Sequence, residues 1–372
     1  MKSALCKKLM FPAAVFFLAT GSFFLSSCGN SGSPALKEYL YAANTGGDTV
    51  TAFKINTVSG ELTLMDEEVL EDNSAPTGLA VHPSGRFLYS ANANAKQGSW
   101  WGDSNLATYK IGDSGELTPL GSTLAIGNGL VNIVFSPSGN RLFGSDVFGN
   151  TVALDVNYAT GYLSETAASP VYTGGEMHGI AMHPSGEYLF VENCGELRSF
   201  VINASTSELI GAGAPISTGT CYVWLEVTPD GKYLYAADPY GGIEGYIINA
   251  STGALAYLGG FPVMAGGSYS VKSLAVTPDG RYIYSAQSDT DEIGAFLINS
   301  LDGSLSNVAG MPFATGKHPK SVEVESQGMF LYAASFGDHE VNAFAINPAS
   351  GELTAIGNYP SGVNPKMIVS WP

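Results

Sequence analysis

The sequence predicts an all-β protein, a seven-bladed β-propeller of four-stranded antiparallel blades closed by its C-terminal strand. Three observations predict it. First, a phrase of the form (T/H/S)-P-(S/D)-G-x-(Y/F)-L-(Y/F)-x-A-(N/D) recurs, with its second aromatic at Tyr41, Tyr89, Phe143, Phe190, Tyr235, Tyr284 and Tyr332. The spacings of 48, 54, 47, 45, 49 and 48 residues match a four-stranded blade. Second, 46 glycines and only 13% charged residues, with many β-branched and aromatic side chains, suit short strands joined by tight turns. Third, the first repeat has no innermost strand, while the chain ends in an unpaired one, Lys366 to Pro372. One blade cannot bury both faces of its sheet, so a ring closed by that terminal strand is the arrangement that leaves no edge.

Residues 1–27 read as a leader that is not part of the fold. Lys2, Lys7 and Lys8 precede an apolar run from Leu9 to Leu25, and Leu25-Ser26-Ser27-Cys28 resembles a bacterial lipoprotein cleavage site. Cys28 is then the expected lipidated first residue, with the alternative that it is incidental to an ordinary signal peptide. Residues 28–36 read as a flexible tether, and 37–372 as the propeller. No later apolar run has the length to cross a bilayer. An exported protein held at a membrane by its lipid alone is the expectation, with a monomer expected in solution. The 33 acidic against 16 basic residues give a net charge of −17, which argues against nucleic acid as a partner.

Blade 5 illustrates the internal punctuation. Val223–Val227, Tyr233–Ala237, Gly245–Ile248 and Ala254–Tyr257 read as its four strands, with Pro229-Asp230-Gly231 as the first turn. Between third and fourth strands most blades carry Asn-x-x-(S/T)-G-x-L, whose Gly serves a hairpin turn. In blade 2 a long insertion, Asn94 to Asn105, carries Trp100 and Trp101. These either stack on a ligand at the channel mouth or pack on the next blade.

Of the four cysteines, Cys6 leaves with the leader and Cys28 is the anchor. Cys194 and Cys221 remain, at the same end of adjacent blades. In an oxidising compartment they form a disulfide or stay as two buried thiols. Their spacing does not resemble a zinc site, and no metal or cofactor is expected.

Superposing the repeats gives a coordinate frame. Eight residues before the Gly of the first turn, at the channel entrance, stand Thr77, Val131, His178, Val223, Lys272 and Lys320, with Lys366 in the matching place on the closing strand. Three lysines at one equivalent position in consecutive blades point to a small anionic ligand, since clustered cations repel one another. The alternative is that each pairs with a carboxylate. Lys317 lies in the loop leading to Lys320. Seven residues after the Gly stand Asn44, Asn92, Asp146, Asn193, Asp238, Gln287 and Ser335, all polar. Asp238 is one blade from His178, and a histidine beside a carboxylate suits acid–base chemistry near neutral pH. His82 and His183 fall in the turns of the opposite face.

The phrases His82-Pro-Ser-Gly-Arg-Phe-Leu-Tyr-Ser-Ala-Asn92 and Thr228-Pro-Asp-Gly-Lys-Tyr-Leu-Tyr-Ala-Ala-Asp238, with the Ser/Thr-Gly-x-Leu turns, resemble the seven-bladed propeller lactonases that include 6-phosphogluconolactonase and carboxymuconate lactonising enzymes. The resemblance covers residues 37–372. It implies a site of histidine, glutamate and arginines around the mouth. His178 falls on the family histidine. Val223 stands where the family has an arginine, Pro239 where it has a glutamate, with Asp238 one residue short, and Pro319-Lys320 where it has Pro-Arg. The implied function is hydrolysis or formation of a sugar-acid-type lactone. His178 would act as acid or base beside Asp238, and Lys272, Lys320 and Lys366 would hold an anionic group. A non-catalytic binding scaffold at the cell envelope and a metal-dependent lactonase are the other readings.

Overall fold

The computed structural model describes residues 37–70, 74–93, 103–121, 123–176, 179–261 and 270–371. The leader with Cys28, the Trp100–Trp101 pair and His178 lie outside the described residues.

Seven antiparallel sheets are present, one for each repeat. The closing strand Pro365–Trp371 is the innermost strand of blade 1 and pairs with Glu38–Asn44, followed outward by Thr49–Ile55 and Leu62–Val69. The N- and C-terminal ends of the propeller are thus hydrogen-bonded to each other, as the unpaired terminal strand requires. The remaining innermost strands are Pro76–Val81, Leu130–Phe135, Ile180–Met182, Trp224–Val227, Val271–Val276 and Pro319–Val324. In blade 5 the expected order holds, with the fourth strand running on to Phe261. The outermost strand is broken into two segments in blades 2, 3, 4 and 6 and kept whole, with a bulge, in blades 1, 5 and 7. Among the described residues no helix is long and apolar enough to cross a membrane.

The repeated aromatic is a clasp between blades. Each second strand is buried along its length, so its alternate side chains fill the spaces between neighbouring sheets. The ring of Tyr41 reaches blade 2 and its hydroxyl donates to the Gly115 carbonyl at 3.0 Å. Tyr89 does the same to Gly161, Tyr235 to Gly303, Tyr284 to Gly351, and Tyr332 to Gly60 of blade 1. The acceptor is the turn glycine between third and fourth strands of the next blade. That turn needs glycine twice over: Gly303 has φ +76°, and a Cβ there would meet the Tyr233 ring at 2.5 Å. A buried tyrosine hydroxyl whose partner is a buried carbonyl contributes about 1–2 kcal/mol. Tyr235→Phe and Tyr284→Phe should therefore each lower the unfolding free energy by that much, read as a lower urea midpoint at unchanged slope. Unchanged midpoints would mean that the carbonyl finds another donor.

Blades 3 and 4 carry Phe143 and Phe190 at this position and use other ties. The Arg141 guanidinium donates to the Ser207 hydroxyl, and the Tyr188 hydroxyl to the Ala250 carbonyl at 3.3 Å. Between blades 4 and 5, Cys194 and Cys221 are joined as a disulfide. A covalent link thus stands where the tyrosine clasp is missing. On the opposite rim His82 and His183 act as inter-blade staples. Their Nε2 atoms lie 3.0 Å from the Gly139 and Gly231 carbonyls of the following blade, while Nδ1 accepts from the Ser84 and Ser185 amides. These two histidines serve the turns, as their position before proline indicates.

Candidate functional site

The innermost strands surround the channel, and their entrance residues do not sit in regular pairing. At Pro76/Gly78, Leu130/Asn132, Val271/Ser273, Pro319/Ser321 and Pro365/Met367 the register slips by one, leaving Thr77, Val131, Lys272, Lys320 and Lys366 as the extra residue of a β-bulge. A bulge turns its extra side chain out of the alternation of the strand. Here five blades use the same device at the same level, and each re-aims one side chain into the channel. The position eight before the turn glycine is therefore a bulge position, which the repeat phrase alone does not reveal.

Lys272, Lys320 and Lys366 line a single cavity of about 410 Å³ with Thr45, Thr77, Val131, Asn132, Val223, Trp224, Phe336 and Met367. Its size suits a ligand of one sugar ring or a small organic acid. Lys320 donates to the Ser288 hydroxyl at 3.1 Å and lies 5.5 Å from the centre of the Phe336 ring. Ion pairs among the described residues are Arg141–Asp155, Arg198–Glu196, Lys232–Asp230 and Lys317–Asp338, so the three channel lysines have no carboxylate at contact distance. Lys317, by contrast, is neutralised by Asp338 at 3.4 Å on the exposed rim.

The consequence is electrostatic strain. Burial and the neighbouring Lys320 ammonium hold the Lys366 amine down at about 8. Burial and Lys272 likewise lower Lys320, partly offset by the more distant Asp289. Each lysine is only half-buried by surface exposure, because the cavity opens to the mouth, but its ammonium sits between apolar walls and like charges.

Two further departures from the repeat close the channel below the lysines. Seven residues before the turn glycine the blades carry Gly78, Asn132, Gly179, Ser273, Ser321 and Met367, but blade 5 carries Trp224. Its side chain packs both against the buried cluster of blades 1 and 2 that contains Met367 and Leu79 and against that of blades 5 and 6, so it reaches across the channel and lines the cavity. Five residues before the glycine the others have Ala80, Val134, Ala181, Ala275 and Val369, whereas Glu226 and Glu323 stand in blades 5 and 7. The Glu323 carboxylate accepts from the Ser370 amide at 3.0 Å and its hydroxyl at 2.8 Å, covering a free backbone donor on the next innermost strand. Glu226 accepts from the Trp224 indole at 3.2 Å and caps the Val276 backbone in the same way. Desolvation raises Glu226 to about 8, with the Glu323 charge adding to it, and raises Glu323 to about 7. Sequence reasoning missed Trp224 and both glutamates, although the same frame that displayed the lysines displays them.

The polar ring seven residues after the glycine serves the turns more than the mouth. Asp146 accepts from the Phe148 and Asn150 amides, and Asp238 from the Tyr240 amide at 2.8 Å. Asn44 is bonded to Thr49 and Thr51, and Asn193 to the Thr173 carbonyl. Asp238 is buried, with its other oxygen facing Gly241. One residue earlier, where siblings have Ala or Ser, blade 4 has Glu192. It is fully buried beside the disulfide, pushed up to about 7 by desolvation, and held by the Gly195 amide at 3.3 Å. A larger groove of about 740 Å³ lies on the outer rim, but its cation, Arg141, is already paired with Asp155 at 2.6 Å.

Comparisons with known proteins agree with this architecture. A 6-phosphogluconolactonase of Klebsiella pneumoniae (strain 342) is 26% identical over 215 residues, which is 54% of this chain; the chain spans 61% of that relative's length. Among solved structures, a putative 6-phosphogluconolactonase from Bacteroides fragilis superposes with a TM-score of 0.76 at 18% identity, covering 92% of this chain and all of that one. The periplasmic gluconolactonase of Pseudomonas aeruginosa superposes with a TM-score of 0.75 at 20% identity, covering 90% and 98%. Identities this low speak for the fold alone. The sequence profile described as lactonase, 7-bladed beta-propeller matches residues 35–129 and 68–370, nearly the whole ring of blades, and the chain belongs to that family.

Proposed function

We propose that the channel cavity binds a sugar-acid-type lactone or its acid and interconverts the two, with the ligand's anionic group held by Lys272, Lys320 and Lys366. The observation that carries this reading is the convergence of three lysines, without carboxylate partners among the described residues, on one cavity of about 410 Å³. Keeping like charges together costs stability, and an anion between them removes the cost. Trp224 and Phe336 supply flat apolar walls of the kind that face a sugar ring. The family and the 6-phosphogluconolactonase relative supply the reaction class.

By its place in the sequence repeat, eight residues before the turn glycine as the lysines are, His178 is our candidate acid–base group. Asp238 is bonded within its own turn, and its help to His178 would be electrostatic. The leader, Cys28 and the periplasmic gluconolactonase among its structural relatives support an exported, lipid-anchored protein acting on unphosphorylated sugar acids.

The test is acid release from a panel of aldonolactones and uronolactones, phosphorylated and not. The wild type should turn over at least one of them. His178→Ala should lose most of that rate at unchanged KM, and Lys272→Met should raise KM at similar kcat. Full activity in His178→Ala would remove the acid–base assignment. Binding of the acids without turnover of any lactone would make the protein an envelope binding scaffold, and loss of activity on chelation would make it a metal-dependent lactonase.

A further inference from the structure

The entrance ring contains more cationic capacity than one carboxylate requires, and its members are not equivalent. Lys366 is the last of the three, on the closing strand, adjacent to Lys320, which in turn adjoins Lys272. Lys320 has a hydroxyl and an aromatic face to bond its ammonium. Lys366 has neither a carboxylate nor any such bond among the described residues, and it shares the cavity wall with apolar Met367 and Trp224. A primary amine in that setting gains from losing its proton, because charge is disfavoured both by the walls and by the neighbouring ammoniums. A neutral lysine amine is a nucleophile toward carbonyl carbon, and desolvation beside a second cation is a recognised way to produce one.

We propose that Lys366 captures the carbonyl group of a small 2-oxo acid as an imine, while Lys320 and Lys272 hold the acid's carboxylate. The lone pair of Nζ adds to the carbonyl carbon and the π electrons pass to oxygen. The oxygen takes up two protons, both supplied in the end by the amine and one of them relayed through an adjacent ammonium, and leaves as water while the remaining Nζ lone pair forms the second N–C bond. One N–C double bond replaces one C–O double bond, and no oxidant or reductant is consumed. The arrangement suits a 2-oxo acid because carbonyl and carboxylate are on adjacent carbons, as Lys366 and Lys320 are on adjacent strands. The proposal shares the cavity of the lactone reading and takes from it only the anion-holding role of Lys272 and Lys320. The low proton affinity of Lys366 agrees with it, since a useful share of neutral amine is then present near pH 8.

The experiment is reductive trapping of the full propeller with pyruvate and cyanoborohydride, read by intact mass and peptide mapping. The expected result is one carboxyethyl group, on Lys366, formed faster at pH 8 than at pH 6. Exposed Lys54, Lys110 and Lys232 serve as internal references in the same digest. Excess gluconate should protect Lys366 in the wild type, and acetone, which has the carbonyl without the carboxylate, should label it at least tenfold more slowly. Lys366→Arg should remove the label, with its melting curve reporting that it is folded. Labelling spread over the exposed lysines, or equal rates with acetone and pyruvate in the wild type, would overturn the proposal whatever the variant does. Lactone turnover is measured without reductant, so either reading can fail while the other stands.

Discussion

Lys320→Met should weaken anion binding by about tenfold to a hundredfold and, at the same time, raise the melting temperature. The two effects have one cause. Lys320 is the middle member of the channel triad, with Lys272 and Lys366 as neighbours and no carboxylate in contact among the described residues. Replacing buried ionic groups by apolar side chains of similar volume is neutral or stabilising by up to about 4 kcal/mol, and here the removed charge faces like charges. That gain should exceed the loss of its bond to Ser288 and its contact with the Phe336 ring. A charge-assisted contact to a bound anion contributes about 1.5–3 kcal/mol, which sets the loss of affinity. The Lys366 amine should titrate higher in this variant, because one of its two depressing influences is gone. Calorimetric titration with gluconate and a thermal melt on the same sample make the comparison. A fall in melting temperature would mean that an unrecognised group neutralises Lys320, and the anion site would lose its main support.

The second large effect is on pH dependence. Three carboxyls shielded inside the ring, Glu226, Glu323 and Glu192, titrate at about 8, 7 and 7 because burial disfavours their charge. A carboxyl whose folded value lies above its unfolded one keeps more protons when folded, so stability falls as pH rises between the two values. The window here opens near the ordinary 4.5 and closes near 7 to 8. Lys366 does not offset this, since its own folded value is about 8 and its contribution changes only above that. Carboxylates held low on the surface, such as Asp230 and Asp338, act below the window. The groups facing the pair are Trp224 and the Val276 backbone at Glu226, and Ser370 and Glu325 at Glu323. We expect the protein to be more stable at pH 5 than at pH 8 by an amount on the order of 2–4 kcal/mol. Glu226→Gln with Glu323→Gln should flatten most of that slope, because the amide keeps the acceptor oxygen and cannot ionise. Urea midpoints at pH 5, 6.5 and 8 read it. A slope unchanged in the double variant would place the titration elsewhere.

The site was partly legible for a definable reason. Lys272, Lys320 and Lys366 could be compared because repeats give equivalent residues equivalent places, and a departure from the consensus is visible without coordinates. Trp224, Glu226 and Glu323 depart from the same frame, but the inner positions between entrance and turn read as ordinary strand, and sequence alone does not show that they face the channel. Asp238 is a case where sequence shows the residue but not its bonds: in the fold it holds the next turn, as Asp146 and Asn44 do at the same place. Polar residues at strand ends satisfy backbone groups first.

What the sequence by itself determined was the ring: its seven blades, the closure by Pro365–Trp371, and the aromatic at the core of each repeat. These follow from periodicity, because a repeated pattern can bury its faces only against copies of itself. The tertiary structure alone decided what the repeated side chains touch. Tyr41 and its counterparts donate to the glycine turn of the following blade, a partner 67 to 74 residues away for those that precede the closure. The bulge that aims three lysines inward, and the indole that lines their cavity, arise where strands from different blades meet. A single repeat carries no record of its neighbour's geometry, so charge and shape in the channel belong to the assembled ring.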